Sequence, residues 1–392
     1  MTTVLLTAAE PSGDAMGASL MRVLRELRPG VRFIGAGGSA MRAEGLIGDL
    51  PTEQLAVMGP VDALKALPRA RTITRGVVEL CSHYRPDVAV FIDSWSFSKM
   101  VAEKVKAVSP STKLVKLAAP QVWASRPKRA KMAAELFDVI LCLLPFEPAL
   151  FAGEGGAAQF IGNPNFQETR ARLGAVGNFR ERHNLTSQRL LLILPGSRRG
   201  EVKRLMPVFG ATYAAVRQRF SDVRGVVVAA QNVAAQVQAQ AEQWEQSALI
   251  VPGKERFDAF HAADVALAAS GTVTTELALA HTPMVTAYRL GPLTAFWAKR
   301  VMITPYISVL NVAAGEEIIP ERVQSACTAE RLTAELVLLL SDENVRARQI
   351  SAFETLLPQL LGTEDPSRAA ARAILALIDG EDGGDLDSSA AG

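Results

Sequence analysis

Residues Arg189–Glu201 read RLLLILPGSRRGE and contain an apolar run, a glycine turn and the polar start of a helix, in that order. A continuous apolar run of this length is typical of a β-strand buried on both faces of a parallel sheet. The same succession of apolar run, small-residue loop and amphipathic helix recurs along the chain. This recurrence predicts an α/β fold, because the helices that connect parallel strands cover both faces of the sheet.

Two series of apolar runs are separated by the turn Gly162–Asn165. The predicted strands are Val4–Ala8, Val31–Ile34, Val88–Ile92, Lys113–Leu117, Val139–Leu143 and Ala158–Ile161 in the first series, and Arg189–Leu194, Gly225–Ala229, Leu249–Val251, Val265–Ala268 and Met284–Ala287 in the second. A polar helix is expected over Gln167–His183, between the two series. Chains longer than about 250–300 residues usually divide, and two doubly wound domains with a cleft between them are therefore expected.

The expected first domain covers residues 1–165 and is joined by C-terminal helices at about 350–379. The expected second domain covers residues 166–349. Residues 380–392 are rich in glycine and acidic side chains and almost without apolar ones, which predicts a disordered acidic tail.

The composition of the 392-residue chain excludes several classes of protein. It has 42 Lys and Arg residues against 40 Asp and Glu, a formal net charge of +2, which argues against a dedicated nucleic-acid-binding protein. Its 3 cysteines lack CxxC spacing and its 4 histidines are scattered, so neither disulfides nor a metal site is expected. Gly35–Ala40 fits the dinucleotide fingerprint only loosely and follows the second strand, so no cofactor is expected.

Small and polar residues follow the predicted strands of the second half, at the edge where α/β sheets bind ligands. Gly196, Ser197 and Arg198 can offer backbone N–H groups, a hydroxyl and a guanidinium to a phosphate. Ser270–Thr272 forms a second loop of this kind, and Glu276 on the next helical turn can accept hydrogen bonds from ribose hydroxyls. Two such loops suit a nucleoside diphosphate sugar, although ordinary helix capping explains the same residues.

Acidic residues stand at the corresponding positions of the first half. Glu10, Ser12, Gly13 and Asp14 follow the first strand, and Asp93 follows the third. Carboxylates at this edge can act as general bases in catalysis. They can also simply cap the helices that follow, so both roles remain open.

Two stretches of the first half mix apolar and basic side chains, a pattern that suits contact with lipid headgroups. The residues expected to face a membrane are Leu64, Lys65, Leu67 and Arg69 in one stretch, and Arg126, Lys128 and Arg129 in the other. An amphipathic helix packed on the sheet would show the same pattern. The apolar runs are far shorter than the ~20 residues that a membrane-spanning helix needs.

These loops together resemble those of the lipid-A-disaccharide synthase family, which are inverting glycosyltransferases of the GT-B type with two Rossmann-like domains. The resemblance extends from Val4 to about Leu377. The segments that carry it are Ala9–Asp14, Leu55–Gly59, Val122–Ala124, Leu144–Glu147, Leu194–Arg198, Ala269–Thr272 and Tyr288–Arg289.

The resemblance implies transfer of a sugar from UDP-2,3-diacylglucosamine to 2,3-diacylglucosamine-1-phosphate. A β-1′,6 bond forms and UDP is released, without a metal, at the inner face of the cytoplasmic membrane. The residues implied to contact UDP are Ser197, Arg198, Asn232, Ser270, Gly271, Thr272 and Glu276, with Gly196 in the same loop. Those implied to face the acceptor are Ser12, Gly13, Ser96 and Asn311. Asp93 is the preferred base, with Asp14 and Glu10 as the other candidates; a homodimer is left open.

Three positions depart from the family pattern. Ser96 stands where the family has a second acid, Asn163 replaces the histidine of Gly-His-Pro, and Glu316 replaces the arginine of Ala-Gly-Arg. The departures leave two alternatives open. One is a catalytically impaired paralogue that binds nucleotide sugar or lipid, and the other is a different UDP-sugar enzyme of the same fold, such as a 2-epimerase. UDP release from the lipid donor and acceptor separates the synthase from both.

Overall fold

The computed structural model describes residues 1–52, 55, 60–173 and 177–380, without the side chains of 60–65, 292–293 and 297–299. The chain forms two compact units, one of Met1–Pro164 with Gly362–Gly392 and the other of Asn165–Leu361. Each unit contains one six-stranded sheet in which all strands are parallel. The predicted α/β class is therefore confirmed. The expected acidic tail lies, from residue 381 onwards, outside the described residues.

The sheet of the first unit is built around its first strand. Its strands are β1 (Thr3–Ala8), β2 (Arg32–Ala36), β3 (Val88–Ile92), β4 (Lys113–Leu117), β5 (Val139–Cys142) and β6 (Ala158–Phe160). The order across the sheet is β2-β1-β3-β4-β5-β6. Strand β1 thus pairs with β2 on one side and with β3 on the other. The carboxyl ends of β1 and β3 form the switch point at which α/β sheets bind ligands.

Helices cover both faces of this sheet. They are α1 (Pro11–Leu27), α2 (Ser39–Ala43), α3 (Pro60–Tyr84), α4 (Trp95–Val108), α5 (Arg129–Leu136), α6 (Glu147–Ala152) and, at the end of the chain, α17 (Pro366–Asp379). One buried cluster contains Val77 and Val101, from α3 and α4. The opposite cluster contains Met21 from α1 and Ile374 from α17, so the end of the chain completes the core of the first unit.

The second unit repeats this architecture with its own central strand. Its strands are β7 (Arg189–Leu194), β8 (Val223–Ala229), β9 (Leu249–Pro252), β10 (Val265–Ala269), β11 (Met284–Tyr288) and β12 (Glu321–Val323), in the order β12-β11-β10-β7-β8-β9. The sequence analysis missed β12, because its three residues are half-buried and include two charged side chains, which hide any apolar pattern. Here the switch point lies at the ends of β7 and β10.

The remaining helices surround this second sheet. They are α7 (Pro164–Leu173), α8 (Phe179–Arg182), α9 (Arg199–Arg219), α10 (Ala234–Ala241), α11 (Arg256–Ala262), α12 (Val273–Leu279), α13 (Pro292–Val301), α14 (Val309–Ala314), α15 (Ala329–Ser341) and α16 (Glu343–Leu361). The polar helix expected over Gln167–His183 is thus two helices, with residues 174–176 between them outside the described part. None of the helices described is long and apolar enough to cross a bilayer.

The C-terminal boundary between the units differs from the expected one near residue 350. Helix α16 belongs to the second unit, and only the residues from Gly362 onwards join the first. The buried amide of Gln349 explains the difference. It accepts a hydrogen bond from the N–H of Met284 at 2.6 Å and donates one to its carbonyl at 3.2 Å, which ties α16 to the start of β11.

The glycine-rich segment after β2 surrounds a carboxylate from the chain itself. Asp14 is only 7% exposed. Its carboxylate accepts hydrogen bonds of 2.8–3.1 Å from the backbone N–H groups of Gly38, Ala40 and Met41. A Cβ on Gly38 would lie 2.5 Å from the Asp14 carboxylate, so glycine is required there. The N–H groups that a dinucleotide phosphate would need are already taken by Asp14.

Asp14→Ala should lower the free energy of unfolding by about 3 kcal/mol, because it leaves buried backbone donors without an acceptor. Asp14→Asn should cost roughly half as much, since its amide oxygen still accepts. Urea unfolding measures both, with Asp49→Ala as the control because Asp49 is exposed. An unfolding midpoint for Asp14→Ala equal to that of the control would show that the hydrogen bonds between Asp14 and the start of α2 do not stabilise the fold.

Candidate functional site

A cavity of about 960 Å³ in the second unit collects the loops that follow its strands. It lies at the carboxyl ends of β7, β8, β9, β10 and β11. The predicted donor residues that line it are Gly196, Ser197, Arg198, Ser270, Gly271, Thr272 and Glu276. The structure therefore brings two loops that suit phosphate binding, Ser197 and Ser270 being 73 residues apart in the sequence, to one concave surface.

A buried carboxylate shapes the first of these loops. Glu201 accepts a hydrogen bond from the backbone N–H of Arg198 at 3.3 Å and one from its guanidinium at 3.2 Å. The Tyr288 hydroxyl donates to the same carboxylate at 3.3 Å. Gly196 adopts a φ of 97°, and a Cβ there would lie 2.6 Å from the Glu201 carboxylate. The sharp turn at Gly196 thus depends on Glu201 and turns Ser197 and Arg198 towards the cavity.

Asn232 belongs to this loop system without lining the cavity. Its Nδ2 donates a hydrogen bond to the Ser197 carbonyl at 2.7 Å. Residues Gln231–Val233 form a short 3-10 turn after β8, which places the amide beside the loop after β7. In this structure Asn232 holds the backbone of Ser197, and Ser197 in turn lines the cavity.

The second loop contains a buried serine hydroxyl that has no hydrogen-bond partner among the described residues. The Ser270 side chain is 9% exposed, and its Oγ has no hydrogen-bond partner within the part of the chain that the structure describes. Such a buried, unsatisfied hydroxyl costs free energy until it meets a ligand or water. Gly271 follows it with open space where a Cβ would stand. Both features suit the close approach of a polar ligand to this loop.

The cavity also contains residues that the sequence analysis did not find as site residues. Lys254 and Arg256 line it, after β9, and Tyr288 lines it at the end of β11. The signal that could have found them is their position immediately after predicted strands. Arg256 lies 3.6 Å from Glu276, whose pKa is raised by burial and lowered again by the arginine charge. Three cations, Arg198 among them, therefore face one cavity, an arrangement that suits a diphosphate.

The first unit brings two predicted acids together at the switch point of β1 and β3. The charge of Asp93 and a hydrogen bond to it raise the pKa of Glu10, although burial of Glu10 is the larger cause. Ser12 Oγ donates to Asp93 Oδ2 over 3.4 Å. Gly13 is close behind, since a Cβ there would lie 3.3 Å from the Asp93 Cβ. The structure therefore brings four predicted site residues into one cluster: Glu10, Ser12, Gly13 and Asp93.

The sequence analysis did not identify Lys116, a buried lysine that donates a hydrogen bond to the backbone carbonyl of Asp93. Lys116 on β4 is 1% exposed, and its Nζ donates to the carbonyls of Phe91 (3.2 Å), Asp93 (2.8 Å) and Leu117 (2.9 Å). Burial lowers the pKa of Lys116 to about 7, while the Asp93 charge acts in the opposite direction. A lysine within an apolar strand gave no sequence signal, because lysines of that pattern usually point to solvent.

The Asp93 backbone needs such support. Asp93 and Ser94 have φ values of 55° and 26°, a left-handed region that is unfavourable for residues other than glycine. Ser98 Oγ donates to the Asp93 carbonyl at 2.7 Å, so this carbonyl accepts from both Ser98 and Lys116. Strained backbone held by several hydrogen bonds is common at functional sites.

Two predicted site residues have structural roles instead. Asp14 was a candidate base, but three backbone hydrogen bonds occupy its buried carboxylate. Asn311 was expected to face the acceptor, but it is 0% exposed. Its amide donates to the Ile319 carbonyl at 2.8 Å and accepts from the Ile319 N–H at 3.0 Å, which fixes the approach to β12. Ser96, in contrast, is exposed at the start of α4.

The residues expected to face a membrane lie on α3 and around the start of α5. Leu67 is half-buried and Arg69 exposed, while the side chains of Leu64 and Lys65 lie outside the described residues. Arg126 and Lys128 are exposed, and Arg129 is half-buried with its guanidinium 5.9 Å from the centre of the Trp95 ring. The three cysteines are buried thiols, and no cluster of potential metal ligands occurs among the described residues.

Comparison with known proteins identifies relatives over nearly the whole chain. A family model described as lipid-A-disaccharide synthetase matches residues 4–374. The chain is 38% identical over 380 residues to the lipid-A-disaccharide synthase of Paramagnetospirillum magneticum, covering 96% of this chain and 97% of the relative. It is 39% identical over 390 residues to the lipid-A-disaccharide synthase of Ruegeria pomeroyi, covering 96% of each.

Solved structures with similar folds include an epimerase and a glycosyltransferase. One is the UDP-GlcNAc 2-epimerase from Neisseria meningitidis bound to UDP-GlcNAc, with a TM-score of 0.58, 10% identity and coverage of 97% of this chain and 100% of that one. Another is the spinosyn rhamnosyltransferase SpnG, with a TM-score of 0.55, 15% identity and coverage of 96% and 100%. Identities this low establish the fold alone, and they confirm the predicted GT-B type.

The Lys116 ammonium should make stability depend on pH in a defined window. Its pKa is about 7 in the folded protein against 10.5 as the ordinary value, so between these limits the unfolded chain binds more protons. The free energy of unfolding of the wild type, relative to Lys116→Met, should therefore rise with pH above about 7. Between about pH 7 and about pH 9 we expect a rise of about 2 kcal/mol.

Urea unfolding of both proteins across this pH range measures the difference. Lys113→Met is the matched control, because Lys113 lies on the same strand with its side chain exposed. Its difference from the wild type should stay constant in this window. A constant difference for Lys116→Met as well would mean that Lys116 titrates as an ordinary lysine.

Proposed function

Because the chain belongs to the lipid-A-disaccharide synthase family, it is a glycosyltransferase, and we propose UDP-2,3-diacylglucosamine and 2,3-diacylglucosamine-1-phosphate as its substrates. The products are the β-1′,6-linked disaccharide phosphate and UDP. The observation that carries the proposal is the cavity of the second unit, which two loops of the family and three cations line together. The assay that tests it measures UDP release from the two lipids with purified protein.

The cavity is the proposed site of UDP. The N–H groups of the loops at Ser197 and Gly271, together with Arg198 and Lys254, suit the two phosphates. Glu276, half-buried at the first turn of α12, suits the ribose hydroxyls. As the bond between the sugar and UDP breaks, negative charge grows on the diphosphate. Cations and N–H groups already in place stabilise that charge without further rearrangement.

The acid pair of the first unit is the proposed source of the base. An inverting transfer requires that the acceptor 6-hydroxyl lose its proton while its oxygen attacks the anomeric carbon. We assign this proton to Asp93, with Glu10 beside it as the group that shares the negative charge. The pKa of Glu10 is raised first by burial and then by Asp93, and this second contribution supports the pairing, because a neighbouring carboxylate makes a second negative charge costly.

The missing family acid at Ser96 does not leave the site with a single carboxylate. Ser96 is exposed and a hydroxyl is far too weak to serve as the base, but Glu10 reaches Asp93 from the loop after β1. This pairing favours an active enzyme over an impaired paralogue. The catalytic alternative of a 2-epimerase rests on fold alone, whereas the family match rests on sequence over most of the chain.

A peripheral position on the cytoplasmic membrane surface is the proposed location, since both lipid substrates reside in a bilayer. The exposed Arg69 and the half-buried Leu67 on α3 support contact with headgroups, as does the exposed Lys128 before α5. Basic side chains beside apolar ones are attracted to anionic lipid.

Arg198→Ala should weaken UDP binding by about 1.5 kcal/mol, roughly tenfold in Kd. This is the low end for a charge-assisted hydrogen bond, because the guanidinium is largely exposed. Calorimetric titration with UDP measures the change. Arg199→Ala is the matched control, since Arg199 is the next residue, is exposed and does not line the cavity. Equal UDP affinities for the two variants would remove Arg198 from the site.

Asp93→Asn should lower kcat by about 10²–10⁴-fold, the usual contribution of a general base. UDP affinity should stay near the wild-type value, because the proposed UDP site lies in the other unit. Steady-state rates and UDP calorimetry on the same preparation test both parts. If Asp93 serves only to shape the loop, the substitution will leave kcat nearly unchanged.

Glu10→Gln should move the acid limb of the pH–rate profile to lower pH. The pKa of Glu10 is raised above its ordinary 4.5, so in the wild type the acid pair takes up a proton at a higher pH than a lone glutamate would. The Glu10→Gln variant lacks the carboxylate responsible for this proton uptake, so its rate should begin to fall at a lower pH. An acid limb at the same pH in both proteins would show that Glu10 is not coupled to the base.

A further inference from the structure

Two arginines in the loop after β4 have no counter-charge. Arg126 and Arg129 make no ion pair with any residue that the structure describes, and neither does Lys128 between them. Some arginines of this unit are paired, such as Arg22 with Glu44 at 2.8 Å and Arg368 with Glu26 at 3.1 Å. The described part of the first unit therefore contains a positive cluster that no described carboxylate neutralises.

The backbone holds this loop in a fixed turn. The N–H of Arg129 donates to the Arg126 carbonyl at 3.0 Å, and the N–H of Ala130 donates to the Pro127 carbonyl at 2.9 Å. Arg126 itself has a φ of 55°, a left-handed conformation that an arginine adopts only when its surroundings impose it. The turn thus fixes the backbone positions from which the two arginine side chains extend.

A buried carboxylate anchors the same loop to the next strand. Glu147 is 2% exposed and accepts a hydrogen bond from the Trp123 indole N–H at 3.0 Å. It also accepts from the backbone N–H groups of Leu143 and Leu144 at 3.2 and 3.1 Å. Its charge is therefore used within the protein, and burial raises its pKa to about 7. Glu147 fixes the loop without providing a partner for the arginines.

Arg129 is held where its charge is partly shielded from water. Its half-buried guanidinium lies 5.9 Å from the centre of the Trp95 ring. Burial lowers the pKa of Arg129, and the nearby charge of Arg126 lowers it further. The exposed Arg126 and the half-buried Arg129 repel each other, and a bound phosphate would relieve that repulsion.

The cluster lies on the same sheet edge as the acid pair. Strands β3 and β4 are neighbours in the sheet, so the loop with Arg126 and the loop with Asp93 leave it side by side. Trp95, under Arg129, is only two residues after Asp93. In the acceptor, a phosphate and the attacking hydroxyl are carried by the same sugar ring. An acceptor bound at this edge would therefore present both groups to loops that leave neighbouring strands.

We propose that Arg126 and Arg129 form the site for the phosphate monoester of the acceptor lipid. This assignment rests on the proposed function, because only that function makes the acceptor a sugar phosphate. The two planar guanidinium groups can each donate two hydrogen bonds to phosphate oxygens, which lysines cannot match in geometry. The site selects phosphorylated acceptors and sets the sugar hydroxyl towards Asp93.

Calorimetry in neutral detergent micelles tests the proposal without requiring turnover. The two ligands are 2,3-diacylglucosamine-1-phosphate and the same lipid without its phosphate. The wild type should bind the phosphorylated lipid more tightly. In Arg126→Gln/Arg129→Gln the affinity for it should fall about 10- to 100-fold, towards that of the unphosphorylated lipid, whose affinity should not change.

Lys131→Gln is the matched control, because Lys131 is an exposed cation on α5 and lies 3.9 Å from Glu135. It should bind both lipids as the wild type does. Unchanged preference for the phosphorylated lipid in the double variant would overturn the proposal. So would an equal loss for both lipids, because that result indicates damage to the loop. Circular dichroism and urea unfolding establish that the double variant is folded.

A second measurement separates the acceptor phosphate from membrane headgroups, which carry similar chemistry. Sedimentation with phosphatidylglycerol vesicles, compared with phosphatidylcholine vesicles, should show a similar small loss for the double variant and for Lys131→Gln. A loss confined to phosphatidylglycerol binding by the double variant, with intact preference in micelles, would assign the arginines to headgroups and overturn the proposal. Absence of UDP release from the wild type, with the phosphate preference present, would refute the proposed function and leave the anion site standing.

Discussion

The strands described in both sheets pair in parallel, and this constraint decides where chemistry can occur in the protein. Parallel neighbours must be joined by a crossover that returns the chain to its starting edge. Every strand of a sheet therefore delivers the loop after it to the same edge. In the first unit this edge gathers Glu10, Asp93 and Arg126, and in the second it gathers Ser197 and Ser270.

Buried carboxylates fix the backbone of three loops at these edges. Asp14 accepts from the N–H groups of the glycine-rich loop, Glu147 anchors the loop after β4, and Glu201 shapes the loop after β7. Each of the three is less than 9% exposed. Each satisfies backbone donors that would otherwise lie unpaired, at little entropic cost because the carboxylate is already packed. Lys254 and Arg198, whose guanidinium also contacts Glu201, line the cavity.

The site of the first unit also shows how a missing acid can be compensated within one fold. Ser96 removes a carboxylate from the loop after β3, but the loop after β1 brings Glu10 to Asp93 at the same switch point. Next to them, the buried Lys116 donates hydrogen bonds to three carbonyls around Asp93 and is positively charged when protonated. This arrangement stabilises a strained backbone turn and offsets part of the negative charge that the two acids bring together.

The sequence alone determined the fold class, eleven of the described strands and seven of the residues that line the cavity. Apolar runs and glycine-containing loops are local properties of the chain. Parallel pairing of the strands then places these loops together at the edge of the sheet where ligands bind. Only the tertiary structure decided the roles of individual polar residues. Asp14 is a cap because Gly38, 24 residues away, brings its N–H within 2.8 Å. Asn311 is buried against Ile319, and Lys116 turns inward beneath Asp93. The partner of a charged or amide side chain depends on segments that packing brings close, and no local pattern in the sequence encodes that distance.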